Sequence, residues 1–351
     1  MSYRIEIEVG DQDECGDQDV EAEGGDTILD ACLLAGVGFA YSCQAGNCGT
    51  CRCELLSGDI LELERSEHAL SDADRARGIV LACRTQVWGD VRIRRVDDDE
   101  LVMHPSRILS CRVAAMEPVT GDIWRVRLGI MSGGPFSFSA GQYASIEYAF
   151  AHGKPREYSI ASRPDEPWLE FHVREGGAGS VTADFGRRLQ VGDEVRVTGP
   201  SGSAHLREKH AGPIIAIAGG SGLAPIRSIL STLRINGRDN PVHVYFGART
   251  ARDVYAEAEM RSWVEGRPGS RAQVVLSDDA DGAVDLPRRA GMVTDAVDAD
   301  FASLDGFKAY VAGPAAMVEA ATALLLRKGV PTRDIHADPV PGSAPAKERA
   351  A

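Results

Sequence analysis

The sequence lacks long apolar runs, and no stretch approaches the roughly 18 apolar residues that a membrane helix needs. Its first residues, MSYRIEIEVGDQDE, contain neither a basic nor an apolar segment, so we expect no secretory signal. No Ser-His-Asp set or pair of carboxylates indicates a hydrolytic site, and the eight histidines are scattered. We therefore expect a cytoplasmic protein, in which clustered cysteines bind metal or act in catalysis rather than form disulfides.

What the sequence does contain is length and acidity. At roughly 100 to 200 residues per domain, a chain of 351 residues predicts two or three domains. Residues 1–98 carry 9 basic and 21 acidic residues, so nearly all of the net charge of −14 lies there. This argues against nucleic acid as a partner. The acidic segment is either a docking face for a basic protein or simply a solvated surface.

Three segments with different hydrophobic patterns follow one another. The first joins the strand-like YRIEIEV and GDVRIRRV to one helix, TILDACLLAGV, capped by Thr27 or Asp26. The second has five strand patterns at β-barrel spacing: ILSCRVAAM, WRVRLGI, YASIEYA, LEFHVRE and DEVRVTG. The third alternates PIIAIA, VHVYFGA, AQVVLS and KAYVAG with the helical APIRSILSTLRI, DVYAEAEMRSWV and AAMVEAATALLLRKG. That alternation predicts a parallel α/β sheet that binds a nucleotide at the carboxyl ends of its strands.

These patterns predict a multidomain chain of the α+β and α/β classes. We place a small β-rich domain at 1–98, a linker at 99–106, an antiparallel β-barrel at 107–206, a parallel α/β domain at 207–340 and a disordered tail at 341–351.

Four of the eight cysteines lie in YSCQAGNCGTCRC, residues 41–53. Cys43, Cys48 and Cys51 have C-x4-C-x2-C spacing and Cys83 follows later, which is the plant-type ligand pattern for a [2Fe-2S] cluster. Glycines let such a loop wrap a cluster with backbone N–H groups pointing at the sulfurs. A structural zinc site is the alternative, although zinc sites usually use two C-x2-C pairs and only one is present. We expect the remaining cysteines to be ordinary buried residues: Cys15, Cys32, Cys53 and Cys111.

The second segment contains REYS, residues 156–159. Arg156 can fork onto a pyrophosphate, the ring of Tyr158 can lie against an isoalloxazine, and Ser159 can bond a ring nitrogen, so we expect a flavin site with Tyr158 and Ser159 beside the reacting ring. The glycine-rich stretch 176–179 runs into SVTADF, which predicts a helix N-terminus that receives phosphate oxygens. Surface-loop glycines are the simpler explanation if this stretch is taken alone.

The third segment contains three glycine motifs at strand ends. The strand 214–218 runs directly into GGSGLAP, residues 219–225, and then into a helix, with Pro225 at an early helical position. YFGART (245–250) and VAGPAAMVEA (311–320) each place a glycine at the end of a strand. A structural turn explains each motif singly, but all three in this order predict a dinucleotide site.

The order of these motifs resembles the ferredoxin-reductase superfamily with an N-terminal plant-type ferredoxin. Within it, the chain resembles reductase components of bacterial aromatic-ring-hydroxylating dioxygenases of the naphthalene dioxygenase reductase type. HPSRIL, AHLREKHAGP, NPVHVYFGAR and IHADP carry this finer likeness, which covers essentially residues 1–340. The resemblance implies a β-grasp domain with a [2Fe-2S] cluster, FAD in the barrel and NAD(P)H on the α/β domain.

The resemblance also implies roles for individual residues. The flavin would be held by Arg156, Tyr158, Ser159, Val173 and Arg174, and its pyrophosphate by Gly179, Ser180, Val181 and Thr182. The nicotinamide nucleotide would border Gly219, Gly220, Ser221, Gly222, Leu223, Pro225, Gly247, Arg249, Gly313 and Pro314. Two positions depart from the family pattern. Ala312 stands where many members have a cysteine near the nicotinamide, and Val340 stands where many have a terminal aromatic residue over the flavin. Both bear on nicotinamide positioning and hydride transfer rate.

The implied function is electron transfer. NADH delivers two electrons at once and a [2Fe-2S] cluster accepts one, so the flavin between them splits the pair. The acceptor would be a Rieske ferredoxin or the terminal dioxygenase, and we expect a monomer with no nucleic-acid or membrane partner. Two alternatives stay open: a reductase of a diiron monooxygenase, and a flavoprotein with a structural zinc module that senses or binds.

The coenzyme preference depends on charges after the strand VHVYFGA. Arg249 and Arg252 could meet a 2′-phosphate, whereas Asp253 would repel it. We expect NADH as the main donor and leave NADPH open.

Overall fold

The computed structural model describes residues 1–8, 18–67, 69–96, 100, 102, 104–151, 153–177, 179–278 and 283–340. The expectations for Cys15, for most of the acidic linker and for the tail 341–351 concern residues outside this set. The chain forms two compact units, Met1–Met103 with Gly202–Arg207, and His104–Ser201 with Glu208–Ala351. In the described part of the chain, no helix is both long and apolar enough to cross a membrane.

The first unit is a mixed sheet with a helix beside it. Its elements are β1 (Ser2–Glu8), β2 (Gln18–Glu23), α1 (Ile28–Leu34), β3 (Arg52–Ser57), β4 (Ile60–Glu62), α2 (Asp72–Ala76), β5 (Ile79–Leu81), β6 (Thr85–Val87) and β7 (Val91–Arg95). The main sheet has the order β2-β1-β7-β3-β5, with β1 parallel to β7. Thr27 caps α1 as predicted, because its Oγ1 accepts the N–H of Asp30 at 3.1 Å. Cys32 and Cys53 are fully buried in the core, which confirms the prediction for them.

The second unit begins with an antiparallel barrel. Its elements are β8 (Arg107–Pro118), β9 (Ile123–Ser132), β10 (Tyr143–Tyr148), β11 (Arg156–Ser159), β12 (Leu169–Arg174), α3 (Phe185–Arg188) and β13 (Glu194–Ser201). The strand order is β11-β10-β13-β8-β9-β12, and a bridge between Ile160 and Phe171 joins the two ends. The five predicted strand patterns correspond to β8, β9, β10, β12 and β13, and Cys111 is buried as expected. The strand nature of REYS, now β11, was not predicted.

The prediction of a helix N-terminus at SVTADF is wrong in its position. The chain turns through residues 179–184, and α3 begins only at Phe185 and has four residues. One hydrogen bond and one backbone dihedral angle explain why the helix begins later than predicted. Thr182 folds back so that its Oγ1 accepts the N–H of Gly176 at 3.0 Å, and Asp184 has a left-handed φ of 54°. The helix N-terminus therefore does not coincide with the glycine-rich stretch.

The second unit continues as a parallel sheet covered by helices. Its elements are β14 (Ile214–Gly219), α4 (Leu223–Ile235), β15 (Val242–Ala248), α5 (Glu257–Val264), β16 (Arg271–Leu276), β17 (Arg288–Ala290), α6 (Val293–Asp300), β18 (Lys308–Pro314), α7 (Ala315–Arg327) and β19 (Ile335–Val340). The strand order is β17-β16-β15-β14-β18-β19. Starting from β14, the chain first adds strands toward the β17 edge and then crosses over to add β18 and β19 on the other side of β14. Ligands of such sheets bind at this switch point, beyond the carboxyl ends of the strands. The sequence patterns missed β17, α6 and β19.

Candidate functional site

The four predicted cluster ligands come from the loop before β3 and the turn after β5. The Sγ atoms of Cys51 and Cys83 are 3.2 Å apart. The Sγ of Cys43 accepts N–H groups from Asn47 and Cys48, both at 3.3 Å. The loop thus directs backbone donors at sulfur, as the sequence predicted.

The electrostatics of this loop favour thiolates at two of the four positions. The Cys48 thiol and the backbone N–H groups of Ala45, Asn47 and Cys48 lower the pKa of Cys43, although burial opposes them. The Cys51 thiol likewise lowers the pKa of Cys83. The hydrogen bonds to Cys43 and Cys83, together with burial, raise the pKa of Cys48 and of Cys51. The four cysteines and the N–H donors at Cys43 are the type of ligand that a [2Fe-2S] cluster uses.

The cysteine loop is held by contacts that the sequence motif does not include. Gly49 has a left-handed φ of 72°, and a Cβ there would lie 2.6 Å from the carbonyl oxygen of Ala69. The guanidinium of Arg52 donates twice to that same oxygen, at 3.1 and 2.7 Å. Arg84 donates to the carbonyl of Glu64 at 2.8 Å. Each arginine directly follows a predicted ligand, which is the signal that could have identified it.

The three predicted flavin residues of REYS lie on β11. Arg156 is exposed, and the half-buried ring of Tyr158 meets Tyr148 edge-on at 6.2 Å. Ser159 Oγ donates to Asp338 Oδ2 at 2.6 Å. Asp338 belongs to β19 and lies in the IHADP motif, which predicts no ligand role for it.

The loop after β12 contains the residues expected to receive a pyrophosphate. Gly179 is left-handed with φ 86°, Val181 is half-buried against the barrel core, and Thr182 holds the Gly176 N–H. A Cβ at Gly176 would lie 2.2 Å from Ser180 Oγ, so the loop closes tightly on itself. Hydroxyls and backbone N–H groups of such a turn, with an arginine on β11, fit the chemistry of a dinucleotide phosphate.

Two predicted flavin residues on β12 point in different directions. Val173 is fully buried in the barrel core, so its side chain is not available to a ligand. Arg174 Nε lies 3.4 Å from Asp122 Oδ2. Only the backbone of Val173 can contribute to a flavin site.

The predicted nucleotide residues meet at the switch point of the parallel sheet. Gly219 ends β14 and is paired with Gly247 of β15. A Cβ at Gly313, near the end of β18, would lie 2.8 Å from the oxygen of Gly219, and Pro314 follows directly. The three glycine motifs therefore converge on one edge of the sheet.

The loop between β14 and α4 approaches its neighbours too closely for a side chain. A Cβ at Gly222 would lie 2.3 Å from the carbonyl oxygen of Ala312. A single 3₁₀ turn at residues 220–222, which includes Ser221, leads into the 13-residue helix α4, with Leu223 and Pro225 buried in its first turn. A close-packed loop before a long helix fits a diphosphate site.

Arg249 lies near two carboxylates, of which the sequence predicted Asp253 but not Asp122. Its Nη2 lies 3.2 Å from Asp253 Oδ1 and 3.8 Å from Asp122 Oδ2, and its side chain is 64% exposed. Its charge is shared with these neighbours, which weakens any preference for a 2′-phosphate.

Comparison with protein families and relatives agrees with this arrangement. Three family models match: a 2Fe-2S iron-sulfur cluster binding domain at residues 11–87, an oxidoreductase FAD-binding domain at 110–206 and an oxidoreductase NAD-binding domain at 216–323. The first of these favours the cluster over a structural zinc site.

Similar proteins serve several oxygenase systems. The chain is 36% identical to the naphthalene 1,2-dioxygenase system ferredoxin–NAD(P)+ reductase component of Pseudomonas putida, over 90% of this chain and 93% of that protein. It is also 36% identical to the propane 2-monooxygenase reductase component of a Gordonia species, over 91% and 94%. The crystal structure of an Amycolatopsis cytochrome P450 reductase, GcoB, superposes with a TM-score of 0.73 at 36% identity, covering 96% of this chain and 98% of that one. The chain belongs to this family of reductase components, oxidoreductases with FAD-binding, NAD-binding and [2Fe-2S] domains.

Proposed function

We propose that this chain transfers electrons from NADH, through FAD and a [2Fe-2S] cluster, to a Rieske-type ferredoxin or directly to a terminal aromatic-ring dioxygenase. The observation that carries the proposal is the presence, in one chain, of the cysteine loop, the antiparallel barrel with REYS on β11, and the three glycine motifs at the switch point of the parallel sheet. Each supports one stage of the transfer. We further propose that the chain is cytoplasmic and acts as a monomer. Sedimentation of the purified protein would test the monomeric state.

The proposed cluster ligands are Cys43, Cys48, Cys51 and Cys83. N–H donors at the Cys43 sulfur and the close Cys51–Cys83 pair support this assignment. The proposed domain limits are those of the sequence patterns, with the cluster domain at 1–98, the barrel at 107–206 and the nucleotide domain at 207–340.

For the flavin we propose Arg156, Tyr158 and Ser159 on β11, the backbone of Val173, Arg174, and the turn Gly179, Ser180, Val181 and Thr182. For the nicotinamide nucleotide we propose Gly219, Gly220, Ser221, Gly222, Leu223, Pro225, Gly247, Arg249, Gly313 and Pro314. The close approaches at Gly222 and Gly313 support the second set, since a bulkier loop would not pack there.

When bound, FAD would supply a two-electron hydride acceptor and the cluster a one-electron acceptor, so the residues of this chain contribute positioning rather than acid-base chemistry. Ser159 is oriented by the Asp338 carboxylate, which accepts a hydrogen bond from the serine hydroxyl at 2.6 Å. The lone pairs of Ser159 Oγ then remain available for another donor. Asn47 and Cys48 stabilise the Cys43 thiolate through their N–H groups.

A second candidate acceptor is a monooxygenase hydroxylase, because the propane 2-monooxygenase reductase is as similar as the naphthalene dioxygenase one. The experiment that separates them measures NADH oxidation by the purified chain with a Rieske ferredoxin, a Rieske dioxygenase and a diiron hydroxylase in turn. We expect the Rieske proteins to accelerate NADH oxidation. Acceleration by the diiron protein alone would contradict this part of the proposal.

A further inference from the structure

Strand β12 has a polar face of which the proposed flavin site uses only Arg174. Phe171 and Val173 point into the barrel core, because side chains alternate along a strand. The intervening residues Glu170, His172 and Arg174 point the other way, and Glu170 and His172 are buried with fully enclosed side chains. A buried carboxylate is costly unless it is paired and hydrogen-bonded, so this face needs compensating partners.

Those partners come from the barrel and from α4. Glu170 Oε2 lies 2.7 Å from Arg127 Nε, and Oε1 lies 3.4 Å from Arg227 Nε and 3.6 Å from Arg125 Nε. Burial would raise the pKa of Glu170, but the neighbouring His172 side chain and the nearby arginines outweigh it and lower the pKa to about 2. The residue is therefore a permanent carboxylate. We call Glu170 and the residues bonded around it the Glu170 network: Glu170, Arg125, Arg127, Arg227, His172 and Tyr255.

Two members of the network, His172 and Tyr255, reach the diphosphate loop through hydrogen bonds. His172 Nε2 faces Glu170 Oε1 at 3.5 Å, and His172 Nδ1 lies 2.9 Å from the hydroxyl of Tyr255. Tyr255 in turn donates to the carbonyl oxygen of Gly220 at 3.1 Å. A tyrosine hydroxyl has one hydrogen, so His172 Nδ1 must be the donor in its bond to Tyr255.

The acceptor at the end of this chain is a peptide whose orientation matters. The Gly220 oxygen accepts both the Tyr255 hydroxyl and the N–H of Leu223. Because the peptide bond is planar and trans, the N–H of Ser221 then points away from Tyr255. Gly220 has a left-handed φ of 55°. Because glycine has no Cβ, this peptide has other accessible orientations if the hydrogen bond to Tyr255 is lost.

The same network attaches the helix behind the loop to the barrel. Arg227, in the second turn of α4, donates to the carbonyl of Ala161 at 2.7 Å, and Ser228 donates to the carbonyl of Ser162 at 2.7 Å. Ala161 lies two residues after Ser159, the last proposed flavin residue on β11. One buried cluster therefore holds both the loop and its helix against the barrel.

We propose that Tyr255, oriented by His172, is a positioning residue that presets the Gly220–Ser221 peptide to receive the diphosphate of the nicotinamide nucleotide. This inference rests on the proposed function, and it adds two residues that neither the motifs nor the family resemblance includes. It differs from a simple packing role because it assigns the effect to one hydroxyl hydrogen.

The test replaces that hydroxyl alone. Tyr255→Phe keeps the ring contacts with His172 and Phe246, and Tyr245→Phe is the matched control. Tyr245 is a buried tyrosine of β15 whose hydroxyl donates to Asp300 Oδ2 at 2.6 Å instead of to the loop. We expect Tyr255→Phe to raise the dissociation constant for NAD+ and for ADP-ribose about five- to tenfold, the value of one hydrogen bond. FAD content and thermal midpoint should match those of Tyr245→Phe.

The steady-state parameters and the His172 variants sharpen the result. We expect KM for NADH to rise in Tyr255→Phe while kcat changes less. His172→Leu should weaken NAD+ binding similarly, whereas His172→Asn, whose amide can donate in place of Nδ1, should bind NAD+ much as the parent does. Equal NAD+ binding in Tyr255→Phe and the parent, or an equal loss in Tyr245→Phe, would overturn the inference alone. A parent protein that does not bind NAD+ would overturn the proposed function as well.

Discussion

The cysteine loop and the Glu170 network are both polar clusters in the folded chain, but they are assembled in opposite ways. Three of the four proposed ligands lie within nine residues of sequence, Cys43 to Cys51, and their spacing alone predicts the chemistry. The Glu170 network joins β9, β12, α4 and the segment before α5, so its members are spread from Arg125 to Tyr255. A site made by local sequence is visible as a motif, whereas one made by the tertiary fold is visible only as contacts.

The largest effect should come from breaking the cysteine loop. Cys83→Ser removes a proposed thiolate ligand, so iron and acid-labile sulfide should fall from about two of each per chain to near zero. Elemental analysis and the visible spectrum measure this. Cys53→Ser is the control, since Cys53 is fully buried among apolar residues. Retained iron in Cys83→Ser, or equal loss in Cys53→Ser, would contradict the ligand assignment.

The next largest effect should come from breaking the Glu170 network. Glu170→Gln removes the carboxylate that three arginines share, although Arg125 and Arg227 keep Glu259 at 3.4 and 3.3 Å. Losing the charge-assisted contacts of this buried carboxylate should lower the free energy of unfolding by about 2 kcal/mol. Denaturant unfolding followed by flavin fluorescence measures it. Glu194→Gln is the control, because Glu194 pairs with Arg112 at 3.0 Å on an exposed surface of the same barrel. That change should cost less than about 1 kcal/mol.

The pH dependence of this difference has a definite sign. The folded-state pKa of Glu170 lies near 2, below its ordinary value of 4.5. Its stabilising contribution is therefore complete above about pH 4.5 and is lost as the pH falls toward 2. The stability gap between the parent and Glu170→Gln should accordingly narrow on acidification below pH 4.5. A gap that widens there would mean that the carboxylate is not held ionised by the arginines.

A smaller effect distinguishes backbone conformation from close contact in the cysteine loop. Gly49 and Gly36 have nearly the same left-handed φ, 72° and 74°, but only Gly49 has a carbonyl where a Cβ would go. Gly49→Ala should lower the free energy of unfolding by about 1 to 3 kcal/mol and speed cluster loss, which the bleaching of the visible spectrum measures. Gly36→Ala should cost about 1 kcal/mol and leave the cluster unchanged. Equal rates of cluster loss would remove the role assigned to the Ala69 contact.

The smallest predicted effect concerns coenzyme choice. Arg249 is mostly exposed and already faces Asp253 and Asp122, so Arg249→Ala should lower kcat/KM for NADPH by no more than about fivefold and leave NADH nearly unchanged. Steady-state kinetics with both coenzymes measures this. A much larger loss for NADPH would show that the arginine binds the 2′-phosphate despite its carboxylate neighbours.

The same contrast explains how much of the fold the sequence predicts. Long alternating or apolar stretches such as β8 and β14 have a period that identifies them, and both were predicted. β11 was missed because its four residues were assigned to ligand binding, and β17 because three residues show no period. The helix near Ser180 was misplaced, since the pattern of glycines does not show that Thr182 accepts a hydrogen bond from Gly176, six residues earlier in the same loop.

For the candidate site, the motifs predicted the cysteines, REYS and the glycine loops but not the residues that orient them. Asp338 at Ser159, Arg52 at the cysteine loop and Tyr255 at Gly220 each act through one hydrogen-bond partner that lies far away in sequence. Asp338 and Tyr255 have no spacing to their partners that a pattern can recognise, whereas Arg52 directly follows Cys51.

The measurement that tests the account most directly is an anaerobic titration of the purified protein with NADH, followed in the visible spectrum. The account predicts that flavin and cluster bands bleach together and that each chain takes up about three electrons, two on FAD and one on the cluster. Uptake of about two electrons, with the flavin bleaching alone and no cluster absorption, would contradict it.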